Sequence, residues 1–149
     1  SAKKIGSKKA LVAASIGVVS AFLILTLLAG SDFLWLGEWY YLINIAIGVA
    51  IFYAMAYFLG RSAGHEILIQ KKHAATVGVK YGVFTLFLSA FLLGWTGFVQ
   101  EGLEPQDTFW DSFEDYVFKP FFWISAMGIF PAIGVGILFG RWIKKSGEN

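Results

Sequence analysis

No cysteine occurs among the 149 residues. That removes disulfides, thiolate metal sites, iron–sulfur clusters and thiol catalysis together. Proline is scarce at three residues, so long helices meet few enforced breaks. Histidine is scarcer still: His65 and His73 are the two. The stretch that joins them, HEILIQKKH, lacks the HExxH spacing of a helical zinc site. The most informative shortage is of charge. Four segments, 10–31, 39–60, 81–100 and 120–140, contain no Asp, Glu, Lys or Arg. They therefore hold none of the ionisable groups that proton-coupled carriers, pumps and voltage sensors place within the membrane.

What is present is apolar. Hydrophobic residues make up 57% of the chain, above the roughly 45–50% of soluble domains. Each charge-free segment is about 20 residues long, enough to cross a hydrocarbon core of about 30 Å as a helix. Between these segments the charges alternate in sign. All 12 basic residues except Lys119 lie before the first segment, between the second and third, or after the fourth. All 10 acidic residues except Glu66 and Glu148 lie in the other two gaps. Basic flanks stay on the cytoplasmic side. The pattern predicts an all-α integral membrane protein: one transmembrane domain over residues 1–149, folded as an antiparallel up-down-up-down four-helix bundle with both termini cytoplasmic. A multi-pass protein of the cytoplasmic (inner) membrane is expected. Topology already accounts for the basic residues, so no nucleic-acid partner is expected.

The connections differ. The first outer one is short, acidic and aromatic, with Trp35 and Trp39–Tyr41 placed for the headgroup region. The inner one, 61–80, mixes basic and apolar residues, which suits helices that extend past the membrane or a segment on its surface. The second outer one reads EGLEPQDTFWDSFEDYVFK. Here Glu104-Pro105 breaks the chain, and Asp107 or Thr108 can cap a helix. Phe109, Trp110, Phe113 and Tyr116 then recur at helical spacing, with Asp111, Glu114 and Asp115 on the other side. A short amphipathic helix anchored at the outer interface is expected, with those four aromatics as the anchor. Pro120 suits the first turn of the fourth span.

Small residues form the sharpest motif. Gly128, Ala132, Gly136 and Gly140 are spaced by four along the fourth span, and Ser125 and Gly134 widen the stripe. In lipid, close backbone approach gains dispersion contacts that only small residues permit. The stripe serves either packing within the bundle or docking of another subunit. Weaker stripes are Ala13, Gly17, Ala21 and Ala46, Ala50, Ala54. Pro131 removes one backbone hydrogen bond in mid-span. Asn44 is expected to bond across helices. Thr26, Thr85, Ser89, Thr96 and Ser125 can bond carbonyls of their own helices. The outer carboxylates show no EF-hand spacing.

No catalytic, cofactor-binding or metal-ligating set emerges, so neither cofactor nor enzymatic activity is expected. The expected function is that of a non-catalytic accessory subunit of a larger membrane complex, in contact with membrane lipids and other integral membrane subunits. The alternative is a small homo-oligomeric channel or carrier with an acidic outer vestibule.

Overall fold

The computed structural model describes residues 1–30, 39–101 and 108–149. The connections at 31–38 and 102–107, with Trp35 and the Glu104-Pro105 break, lie outside the described residues. The elements are α1 (Ala2–Ala29), α2 (Trp39–Leu68), α3 (Ala74–Glu101), α4 (Phe109–Phe113), a π-helical turn (Glu114–Phe118) and α5 (Lys119–Glu148). No strand occurs among the described residues. Four of these helical runs are long and apolar enough to cross a membrane. The chain is thus an all-helical protein of the multi-pass membrane type.

Each long helix outruns its charge-free segment. α1 and α3 have 28 residues, α2 and α5 have 30. At 1.5 Å per residue this is about 42–45 Å, against a hydrocarbon core of about 30 Å. Of the two possibilities for residues 61–80, helix extension is what forms. α2 continues to Leu68 and α3 starts at Ala74. The turn between them closes by a bond from the Lys72 N–H to the Glu66 carbonyl at 3.1 Å, with Lys71 at φ 55° in the left-handed region. His73 caps α3: its Nδ1 lies 3.4 Å from the Thr76 N–H donor and 3.1 Å from the Thr76 hydroxyl. α1 ends at Gly30, whose φ of +58° needs a residue without Cβ.

α5 does not begin afresh at Pro120. Thr108 caps the segment by accepting from the Asp111 N–H, and helical conformation then runs unbroken from Phe109 to Glu148. The π-helical turn explains how the run passes Pro120. Proline has no N–H to offer, and its ring crowds the carbonyl four residues back. Widening the preceding turn lets the Lys119 N–H bond the Glu114 carbonyl five residues earlier. Pro131 sits inside α5 without ending it.

α3 packs most extensively on α5 and α1 on α2, with α2–α3 and α1–α5 completing the ring. Gly6 meets Gly60 and Gly64, whereas Gly17 faces Phe52 further along, so α1 and α2 run in opposite directions. Likewise Gly78 meets Gly136 and Gly140, whereas Gly94 meets Val117, so α3 and α5 are antiparallel. The basic N-terminal end of α1, the α2–α3 turn and the C-terminal end of α5 therefore gather at one end. The principal core lies in the half nearer that end, around Ala10, Ala13, Ala56, Ala63, Ile67, Val77, Phe139 and Ile143.

Candidate functional site

The predicted stripe on α5 faces α3. Gly136 and Gly140 are buried. A Cβ on Gly140 would overlap the Ala74 carbonyl, and one on Gly136 would lie 2.8 Å from the Gly78 carbonyl. Ala132 presents its carbonyl to Gly82, where an added Cβ would come within 3.0 Å. Gly128 faces only the flexible end of the Leu86 side chain. This is a seam of backbone on backbone, and a second subunit docking on the stripe would have to displace α3. Gly134 is not part of it: nothing lies within 4 Å of its absent Cβ, and it is exposed. The reason is angular. At about 100° per residue, Gly134 stands well round the helix from Gly136.

An equivalent seam joins α1 to α2 through residues that the spacing of the spans did not single out. Cβ atoms on Gly6, Gly60 or Gly64 would overlap the Gly60 carbonyl, the Ala10 methyl and the Ala2 carbonyl respectively. Gly6 lies among the N-terminal lysines and Gly64 beyond Arg61, so both fell outside the charge-free segments. The signal was present: Ala2, Gly6 and Ala10, with Ala56, Gly60 and Gly64, are each spaced by four. By contrast Ala46, Ala50 and Ala54 face outward.

A polar cluster locks the basic end. The Glu66 carboxylate accepts from Lys80 at 2.8 and 2.9 Å, from Lys72 at 3.0 Å and from the Tyr81 hydroxyl at 2.6 Å. Glu66 lies beyond segment 39–60. The Lys80 ammonium, helped first by the Tyr81 hydroxyl and then by Lys72, holds its carboxyl down to about 2 against partial desolvation. At the other end Lys119 pairs with Asp115 and Glu114. The sign exceptions of the sequence thus become intelligible. Glu66 and Lys119, each stranded among charges of the opposite sign, are the centres of ion-pair clusters. Glu148, the third exception, only reaches Lys144 at 4.0 Å.

The four aromatic anchor residues divide. Phe109 and Phe113 pack on α3, with centroids 5.4 Å from Phe98 and 5.8 Å from Trp95. Trp110 is exposed, and Tyr116 is half-buried over Gly97. The rings continue along α3 as Trp95, Phe91 and Phe87, the last two meeting Phe121 of α5.

Hydroxyls follow expectation in part. Thr26, Thr85 and Thr96 bond carbonyls of their own helices. Ser89, Ser125 and Ser112 Oγ and Asn44 Oδ1 are buried with no hydrogen-bond partner among the described residues. The interhelical bond expected of Asn44 is therefore not formed there. His65 lines a cleft with Lys3 and Arg61, eight residues before the capping His73. Among the described residues no three His, Asp or Glu side chains gather as a metal site would require.

The chain matches no protein-family model, no curated protein and no solved structure.

Proposed function

We propose that this multi-pass protein is a non-catalytic accessory subunit of a larger complex in the cytoplasmic (inner) membrane. Both termini face the cytoplasm, the four spans alternate in direction, and the 109–118 segment meets the outer interface. The gathering of basic segments at one end supports the orientation.

The observation that carries the functional reading is the two-sidedness of α5. Its stripe of Gly128, Ala132, Gly136 and Gly140 packs on α3. Its opposite face presents Trp123, Met127 and Phe130, which are 62%, 42% and 79% exposed. A ridge of large rings gains nothing over leucine from lipid tails, whereas ring–ring and ring–sulfur contacts with a partner helix do contribute. In this reading the ridge is the contact surface, and the larger subunits carry the chemistry.

In-membrane photocrosslinking from positions 123 and 130 tests it. Adducts with different membrane proteins are expected. Adducts only between copies of this chain would sink the accessory reading and favour the homo-oligomeric channel or carrier. Solute flux into liposomes holding the pure protein would then have to exceed that into empty ones.

A further inference from the structure

At the basic end, the α2–α3 turn and the last turns of α5 enclose a cleft of about 610 Å³. Lys71 and Lys72 line it from the turn, Arg141 and Lys144 from α5, and Glu148 is the one carboxylate on its wall. Ile67 and Leu68 supply an apolar part of the lining. Ala74 and Ala75, also on the wall, are the first residues of the 28-residue α3. First-turn amides of a helix have no helical acceptor and favour an anion.

Topology alone does not call for this arrangement. The positive-inside rule counts charges loop by loop and is indifferent to whether separate loops converge. Here they do converge. Lys72 is already paired with Glu66, but Lys71 and Arg141 have no carboxylate partner among the described residues, and Lys144 has only the long contact with Glu148. Like charges brought together around one cavity repel unless an anion joins them. A guanidinium, ammoniums and helix amides together match the oxygens of a phosphate group.

We propose that this cleft binds a phosphate group, carried either by an anionic lipid headgroup or by a soluble phosphate compound. Arg141 directly follows the charge-free segment 120–140 and stands at headgroup depth. Lys144 and Lys71 would hold the outer oxygens. The proposal rests on the cleft and is independent of the accessory-subunit reading.

The test uses the purified full chain in a neutral maltoside detergent. Binding is measured for phosphatidylglycerol against phosphatidylcholine in mixed micelles, and for inorganic phosphate at fixed ionic strength. Each is repeated on Arg141→Gln/Lys144→Gln and on Lys8→Gln/Lys9→Gln, which removes the same charge from α1, outside the cleft. Arg141, Lys144 and Lys8 are exposed and Lys9 is half-buried, and no seam glycine is replaced, so both variants should fold, which circular dichroism checks. Preference for phosphatidylglycerol without phosphate binding identifies a lipid site. Phosphate binding without lipid preference identifies a soluble ligand. In either case the cleft variant should bind at least tenfold more weakly and the α1 variant less than threefold. No binding of either probe, or equal losses in the two variants, would overturn the proposal.

Discussion

At the basic end of the bundle, Gly6, Gly60, Gly78 and Gly140 bring helix backbones into contact, and Glu66 ties two lysines and a tyrosine across the turn. At the acidic end, α3 is held to the 109–121 region by rings: Trp95, Phe98, Phe109, Phe113 and Phe121. There α1 and α2 leave Leu27, Leu28 and Ile43 largely exposed, at 84%, 67% and 56%. The difference shows what lipid rewards as a solvent. Covering leucine gains little when the displaced medium is itself hydrocarbon. Helices cohere where small residues permit a closer approach than lipid can match, or where rings meet edge to face.

Replacing Gly140 is the most damaging way to break this contrast. In Gly140→Leu the new side chain meets the Ala74 backbone, which cannot swing aside. Destabilisation of about 3 kcal/mol or more is expected, at or beyond the upper end of overpacking costs. Thermal unfolding in detergent reads it. A loss below 1 kcal/mol would mean that the seam is not backbone-tight.

Phe98→Ala probes the other end. It removes two ring contacts, with Trp95 and Phe109, each worth about 0.5–1.5 kcal/mol. The same assay should show a loss of about 1–3 kcal/mol, with the 109–113 segment becoming protease-sensitive while the α1–α2 seam stays intact.

Glu66→Gln is expected to cost about 1–2 kcal/mol. Bonds to a charged group exceed neutral ones, but Lys72 and Lys80 remain 51% and 40% exposed, and solvent screens them. The pH dependence has a definite sign. The folded-state pKa is lowered from 4.5 to about 2, so the contribution is fully present above 4.5 and is lost as pH falls from there towards 2. The wild-type protein should lose stability across that window, and Glu66→Gln should lose less.

Gly134→Leu sharpens the comparison from the quiet side. With no atom within 4 Å of its Cβ position, it should shift stability by less than about 0.5 kcal/mol in detergent. A large loss would put Gly134 at a packed surface after all.

Much of this architecture was legible in the sequence. The charge-free segments located four helices, because hydrocarbon thickness leaves little choice of length or conformation. The stripe of Gly128, Ala132, Gly136 and Gly140 was visible from spacing alone, but its occupant was not: α3 offers Gly78 and Gly82, and nothing local states that these two faces meet. The helices run up to about two turns past the charge-free segments, since charged residues such as Lys3 and Glu66 are tolerated in helix once it leaves the hydrocarbon. That hid Gly6 and Gly64. The role of Glu66 was hidden likewise. It stood out as a sign exception, yet its partner Lys80 lies 14 positions away, and only the turn at Lys71 brings the two together. The continuity of the 109–118 segment with α5 was obscured by Pro120, which reads equally as a first-turn residue and as one accommodated by a widened turn.

The widened turn at Glu114–Phe118 also acts as a phase shifter. It takes up one residue more than an α-helical turn, so everything before it is carried about 100° round the axis relative to α5. That offset lets one continuous rod aim Gly136 and Gly140 at α3 at one end and Phe109 and Phe113 at α3 near the other. A deletion of one residue within 114–118 would reset the phase. It would turn Phe109 and Phe113 away from Trp95 and Phe98 while leaving all four of those rings in the chain.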